Sequence, residues 1–146
     1  GPVSKGLIEK SGVPFTGHTE YIAGRTGGAV PYMLMYSPRY RVILTTTHMP
    51  VAEIPAHINA QRILEVLRVG YQSIRRIDGR DVTMAVTGLD PHCGDDGAIG
   101  TFDRDVTAPA IELSKRLELP VALDWYWWHK HPYDTGYPEY FPLCRG

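Results

Sequence analysis

The sequence predicts an α/β fold over residues 3–119, and two observations support this prediction. Segments rich in Val, Ile, Tyr and Thr alternate with segments in which apolar residues recur every three or four positions, as in helices layered on a sheet. The chain has 146 residues, of which 43% are hydrophobic and 21% are charged, enough for one sizeable core. We therefore expect one α/β domain, preceded by Gly1-Pro2, a pair typical of a cleaved affinity tag.

Two short helices are expected before the first strand. The first covers Lys5 to Lys10 and stops at Gly12, because glycine readily adopts the left-handed conformation that ends a helix. The second begins after Gly17 and ends near Gly27-Gly28. Glu20 lies in its first turn, where a carboxylate complements the helix dipole.

Two strands and a long helix follow. Val30 to Tyr36 and Tyr40 to Thr47 are rich in β-branched and aromatic residues, which favour strands. Asn59 then caps a helix that runs to about Arg76. Gly70 permits close packing on the apolar stripe of this helix, which is formed by Ile63, Leu67, Tyr71 and Ile74.

The rest of the predicted domain adds one more strand and helix. Asp81 to Gly88 is expected to form a strand, and Leu89 to Thr101 a glycine-rich loop. A helix is predicted over Asp103 to Glu118, but Pro109 leaves undecided at which residue this helix begins. Residues 120–146 differ, because they hold all three tryptophans and are interrupted by prolines. We expect them to form a divergent aromatic tail, for which the sequence predicts no structure.

Charge and composition exclude several classes of function. Fifteen Lys and Arg against sixteen Asp and Glu leave a formal charge of -1, without the basic excess of a nucleic-acid-binding protein. No apolar segment approaches the length of about 20 residues that a membrane span requires, and no secretory signal opens the chain. Cys93 and Cys144 are too few for a disulfide scaffold. We expect a cytoplasmic protein that binds neither nucleic acid nor membrane.

His48 and His92 are the first candidates for a functional site. Each follows a predicted strand, and ligands of open α/β sheets bind beyond the carboxyl ends of the strands. Neutral imidazole is also a common ligand of zinc. Two interpretations stay open, a metal half-site and a pair of hydrogen-bonded loop residues.

His18 and Thr19 are candidates for anion binding. They open the second predicted helix, where backbone N–H groups without helical partners can receive a phosphate or a carboxylate. Ordinary helix capping is the alternative interpretation.

The remaining candidates are weaker. Asp95 and Asp96 oppose phosphate binding by their charge, and either support a metal or form a solvated acidic turn. Cys93 lacks an activating base, because the side chain of the neighbouring His92 points elsewhere if the segment is extended. We set aside three further histidines, one as a surface residue and two without partners to complete a metal site: His57, His129 and His131.

Three motifs in a fixed order are the most specific feature of the sequence. They are Gly12-Val13-Pro14-Phe15-Thr16-Gly17-His18-Thr19-Glu20, Thr45-Thr46-Thr47-His48-Met49-Pro50 and Gly88-Leu89-Asp90-Pro91-His92-Cys93-Gly94. Over about residues 3–119 the chain resembles the 4-hydroxythreonine-4-phosphate dehydrogenase (PdxA) family. The resemblance implies a homodimer and the central segment of an isocitrate/isopropylmalate dehydrogenase-like fold. It also implies oxidation, with decarboxylation, of a small phosphorylated hydroxy acid by NAD or NADP in pyridoxal phosphate biosynthesis.

The same resemblance assigns roles to four residues. His48 and His92 match two of the three histidine ligands of a divalent metal, which is Zn, Mg or Co. His18 and Thr19 match the substrate-binding pair of the Gly-His-Thr-Glu motif. In this chemistry the metal-polarised substrate hydroxyl loses its proton as hydride passes to the nicotinamide. The resemblance leaves catalytic and cofactor-binding residues unassigned.

The chain also departs from the family pattern. The Tyr-His-Asp-Gln segment that supplies the third metal histidine is not in the sequence, and we expect a frameshift or gene truncation after codon 119. Asp90 replaces the usual Asn, Asp95-Asp96 replaces Glu-Gly, and Ala98 stands where histidine is common. Two alternatives to an enzyme therefore stay open. One is a noncatalytic remnant that binds metal or a phosphorylated ligand, and the other is an α/β dimerisation or interaction module.

Overall fold

The computed structural model describes residues 3–15, 17–37 and 40–124. The predictions made for Gly1-Pro2, for His129 and His131 and for the aromatic tail from residue 125 lie outside these residues.

Two short helices open the described chain, as the sequence predicts. They are α1 (Lys5–Lys10) and α2 (His18–Arg25). Gly12 follows α1 with a φ of 81°, a left-handed conformation that glycine adopts without steric cost. Gly17 is the N-cap of α2.

The four described strands form two separate sheets. Strands β1 (Leu34–Tyr36) and β2 (Arg41–Ile43) pair as an antiparallel hairpin, and β3 (Met84–Val86) pairs in parallel with β4 (Val121–Asp124). The predicted alternation of strands and helices is confirmed, although β1, β2 and β3 are shorter than the segments predicted for them. β4 lies within residues 120–146, the segment for which the sequence predicts no structure, and its pairing with β3 shows that the α/β unit continues beyond residue 119.

A long helix supports both sheets. A short helix, α3 (Ile54–His57), precedes α4 (Ala60–Asp78). Asn59 caps α4 as predicted, because its side chain accepts a hydrogen bond of 2.8 Å from the backbone N–H of Arg62. Gly79 follows the last helical residue, Asp78, and its φ of 67° is the left-handed conformation typical of a helix C-cap.

The core lies between α4, the parallel sheet and α5 (Ala108–Arg116). A wide π-helical turn at Asp103–Thr107 leads into α5, with Pro109 in the first turn, where its missing N–H is tolerated. The predicted helix is therefore present, and its first turn is looser than an α-helix. Six buried side chains form the core cluster: Ile63, Leu67, Met84, Ala110, Ile111 and Val121.

Gly70 brings both sheets close to α4, as its place on the apolar stripe predicts. A Cβ on Gly70 would lie 3.2 Å from Ile43 Cγ2 of β2 and 3.5 Å from Met84 Sδ of β3. Glycine therefore permits an approach that a larger residue at this position would obstruct.

In the part of the chain that the structure describes, no helix combines the length and the apolar content needed to cross a bilayer.

Candidate functional site

The start of α2 presents His18 and Thr19 to solvent. Both side chains are exposed, and both lie in the first helical turn, where backbone N–H groups lack intrahelical acceptors. Phe15 is buried and contacts the His18 ring edge-on, with ring centroids 5.3 Å apart. This contact gives the imidazole an apolar support on one side.

Glu20 connects α2 to His48. Its Oε1 lies 3.5 Å from His48 Nδ1. Its Oε2 lies over Gly17, where an added Cβ would approach it to 2.6 Å, and this oxygen is buried without a hydrogen-bond donor among the described residues. Glu20 therefore does more than complement the helix dipole, the role that the sequence predicts for it.

His48 has a strained backbone. Its φ is 54°, in the left-handed region that few non-glycine residues adopt, and its side chain is 48% exposed. Strain of this kind persists only where surrounding contacts hold it, and it is concentrated at functional sites. Because Nδ1 faces Glu20, a metal would bind at the other ring nitrogen, Nε2.

His92 lies in a left-handed turn. The turn covers Pro91–Gly97, and His92, Cys93, Asp95 and Asp96 have φ between 46° and 53°. The segment is not extended here, the condition under which the side chain of His92 is expected to point away from Cys93, because five consecutive residues of the predicted glycine-rich loop are left-handed. Each non-glycine residue in this conformation costs about 1–2 kcal/mol.

The side chains of the turn differ in burial. Cys93 is only 3% exposed and lies against Gly88, where a Cβ would be 2.5 Å from its Sγ. His92, Asp95 and Asp96 are exposed. The burial of Cys93 gives it no role as an accessible nucleophile, and the exposure of the two aspartates agrees with a solvated acidic turn.

Asp103 is a residue that the sequence interpretation missed. Its side chain is 1% exposed and accepts hydrogen bonds from the backbone N–H groups of Leu89 and Asp90, at 2.8–2.9 Å. The Thr107 hydroxyl donates a further bond of 2.7 Å. Its position first indicated only the start of a helix. The helical spacing could have indicated its burial, because Asp103 and Thr107 lie on the same helical face as three residues that are buried: Ala110, Ile111 and Ser114.

His48 and His92 follow strands of different sheets. The expectation that they extend from the carboxyl ends of one open sheet is wrong, because β2 belongs to the antiparallel hairpin and β3 to the parallel pair. Among the described residues, no group of three or more His, Cys, Asp or Glu side chains is placed to hold a metal. His57 is exposed on α3, as predicted for a surface residue.

Known proteins resemble the chain over most of its length. The family described as "Pyridoxal phosphate biosynthetic protein PdxA" matches residues 1–133, which extends beyond residue 119. A 4-hydroxythreonine-4-phosphate dehydrogenase of Chromobacterium violaceum is 42% identical over 112 residues, covering 76% of this chain and 34% of that protein. One of Acidithiobacillus ferrooxidans is 36% identical over 125 residues, covering 85% of this chain and 38% of that protein.

Solved structures give the same result. The crystal structure of 4-hydroxythreonine-4-phosphate dehydrogenase from Klebsiella pneumoniae superposes with a TM-score of 0.74 at 28% identity, covering 84% of this chain and 37% of that one. The enzyme from Burkholderia phymatum gives a TM-score of 0.67 at 27% identity with the same coverage. The chain thus spans only about a third of the length of the relatives that it matches.

Proposed function

The chain belongs to the PdxA family of pyridoxal phosphate biosynthetic proteins, and from this we propose that it supplies substrate-binding and metal-binding residues to a 4-hydroxythreonine-4-phosphate dehydrogenase. The observation that carries the proposal is the contact between Glu20 and His48. It joins the Gly-His-Thr-Glu motif to the motif around His48, so that one proposed metal ligand lies beside the helix turn that carries the proposed substrate residues.

His18 and Thr19 bind the substrate in this proposal. Their side chains are exposed at the N-terminus of α2, where helix N–H groups and the helix dipole favour an anion. The phosphorylated hydroxy acid offers two anionic groups, a phosphate and a carboxylate. The edge contact of His18 with Phe15 holds the imidazole in place for this role.

His48 and His92 hold a divalent metal, which is Zn, Mg or Co. Imidazole nitrogens suit such a metal, and the Glu20 carboxylate beside His48 Nδ1 is the kind of partner that orients a metal-bound histidine. The described residues supply two ligands of the set, and a third comes from elsewhere in the assembled site. When bound, the metal would polarise the substrate hydroxyl and lower its pKa, while NAD or NADP accepts the hydride.

The proposal extends to the wider molecule. The α/β arrangement fits the isocitrate/isopropylmalate dehydrogenase-like fold, and we expect a cytoplasmic homodimer. Sedimentation velocity on the chain tests the dimer directly.

A noncatalytic role is the second candidate, because the described residues hold no complete metal-ligand group. In this case the chain binds metal or a phosphorylated ligand without turnover. Reduction of NAD or NADP by 4-hydroxythreonine-4-phosphate, measured as formation of NADH or NADPH, separates the two candidates.

Zinc titration by calorimetry tests the metal site. Metal-stripped wild type is compared with His48→Ala/His92→Ala, and we expect saturable binding that the double variant weakens at least tenfold, since each lost ligand removes a metal bond. His57→Ala is the matched control, because it removes an exposed histidine on α3. Equal affinity of the wild type and the double variant would refute the proposed metal role.

A further inference from the structure

We propose that Asp103 is a positioning residue that sets the place of His92 by anchoring the left-handed turn. This inference rests on the proposed metal role of His92. The carboxylate lies at the start of the π-helical turn before α5, and it reaches the chain directly ahead of Pro91.

The anchoring geometry is well defined. The Leu89 N–H lies 2.9 Å from both Asp103 oxygens, and the Asp90 N–H lies 2.8 Å from Oδ2. The Thr107 hydroxyl donates to Oδ1 at 2.7 Å and so orients the carboxylate from its own helix. Hydrogen bonds to a charged, buried acceptor are stronger than neutral ones, and losing them leaves the partners unsatisfied.

The anchor acts where the backbone is strained. The turn from Asp90 is closed by the bond from Cys93 N–H to Asp90 C=O, at 3.0 Å. His92 lies inside this closed segment with a φ of 53°. Because left-handed residues are costly, the turn needs fixed ends, and Asp103 fixes the end that precedes His92.

Tight packing places the turn against Asp103. A Cβ on Gly88 would lie 3.1 Å from Asp103 Oδ2 and 2.5 Å from Cys93 Sγ, so the strand end, the turn and the carboxylate meet without spare volume. A Cβ on Gly94 would collide with the Gly100 carbonyl oxygen. The turn therefore has little room to shift unless the anchor is lost.

Asp103→Asn is the first test. With the asparagine oxygen at the Oδ2 position, its NH2 group takes the place of Oδ1, 2.9 Å from the Leu89 N–H, so a donor faces a donor. The remaining bonds to Leu89 and Asp90 also lose the negative charge of their acceptor and become weaker. By amide hydrogen exchange we expect at least a tenfold loss of protection at Leu89 and Asp90. We also expect at least a tenfold loss of zinc affinity and a shift of the His92 imidazole resonances.

Ser114→Ala is the matched control, because Ser114 is 0% exposed and its hydroxyl donates within α5, to Ile111 C=O at 2.7 Å. It lowers stability, yet it should keep amide protection at Leu89 and zinc affinity at wild-type values. If Asp103→Asn does not fold, Thr107→Val decides, since it removes one donor and should reduce both quantities several-fold.

Two results would overturn the inference. One is retained protection and zinc affinity in Asp103→Asn, or in Thr107→Val where that variant decides. The other is an equal loss of affinity in Ser114→Ala, which would show general destabilisation. If the wild-type chain binds no zinc, that result counts against the proposed metal role and not against the anchor. The hydrogen-exchange protection of Leu89 and Asp90 then tests by itself whether Asp103 anchors the turn.

Discussion

Glu20 and His48 show how a single contact couples two sequence motifs. Glu20 Oε1 approaches His48 Nδ1, while Glu20 Oε2 is buried over Gly17. In metal sites, a carboxylate beside the ring nitrogen that does not bind the metal orients the histidine. The strained φ of His48 indicates that the surrounding structure holds the residue in place.

Glu20→Gln should weaken zinc binding by about tenfold. The amide keeps the size of the side chain, but it loses the negative charge that supports the His48 ring, and loss of such partners typically costs 10–100-fold in metal affinity. Calorimetric titration of zinc measures the effect. Glu112→Gln makes the same change of net charge on an exposed α5 residue paired with Lys115, and it should leave the affinity unchanged. Equal affinities in all three proteins would remove Glu20 from the site.

Secondary-structure elements that carry strong local signals follow the sequence closely. The cap of α4 at Asn59 and the close packing at Gly70 are predicted from residue type and spacing alone. The left-handed turn is not, because four of its five left-handed residues are not glycine, and even Asp and His adopt this conformation only as a minority. Tertiary contacts such as those of the buried Asp103 contribute to its stability, and periodicity does not report those contacts.

The candidate site was likewise predictable from local sequence only in part. The candidate residues His18, Thr19, His48 and His92 come from motif resemblance, and their metal and substrate roles stay predictions. Sheet membership could not be predicted, because β2 and β3 have similar compositions and nothing local assigns a strand to one sheet or another.

The β1–β2 hairpin is held to α4 by a small polar network. Arg41 Nη2 lies 2.7 Å from Asp78 Oδ2, and the Tyr36 hydroxyl donates to Asp78 Oδ1 at 2.9 Å. Partial burial by itself raises the pKa of Asp78, but the hydrogen bonds from Tyr36 and Arg41 and the Arg41 charge outweigh it. The pKa of Asp78 is therefore below its ordinary value of 3.8.

Asp78→Asn should lower the Tm at pH 7 and make it less dependent on acid. Since the folded pKa is lowered, the carboxylate contributes stability above the unfolded value of 3.8, and this contribution disappears as the pH falls through the folded pKa. Thermal unfolding between pH 7 and pH 2 measures the difference. Asp81→Asn removes a 71% exposed carboxylate that pairs with Arg75 and accepts the Tyr71 hydroxyl at 2.9 Å, and it should lower the Tm at pH 7 less than Asp78→Asn does. Parallel profiles for wild type and Asp78→Asn would contradict the assignment.

On the scale of the whole molecule, α4 is the common support of both sheets. Ile43 of β2 and Met84 of β3 approach the same residue, Gly70, so both sheets pack against α4 at this position. His48 follows β2 and His92 follows β3. We therefore expect the spacing between the two candidate metal ligands to depend on how closely both strands pack on α4.

Gly70→Leu should destabilise the fold by about 1–3 kcal/mol, the usual cost of overpacking a core. The gain in helix propensity, about 1 kcal/mol, is too small to offset the displacement of Ile43 and Met84. Gly70→Ala should stay within about 1 kcal/mol of the wild type, because a single Cβ at 3.2 Å from Ile43 Cγ2 opposes the same gain. Urea unfolding gives both free energies.

Gly24→Leu is the matched control for Gly70→Leu, since Gly24 is a helical glycine in α2 with no atom within 4 Å of an added Cβ. Here the propensity gain acts without a steric cost, so stability should be unchanged or higher. Zinc titration of the folded Gly70→Leu population then tests the coupling between packing and site. If the sheets set the spacing of His48 and His92, affinity falls together with stability in Gly70→Leu and stays constant in Gly24→Leu. Wild-type affinity in a destabilised Gly70→Leu chain would show that the two histidines are placed by their own loops.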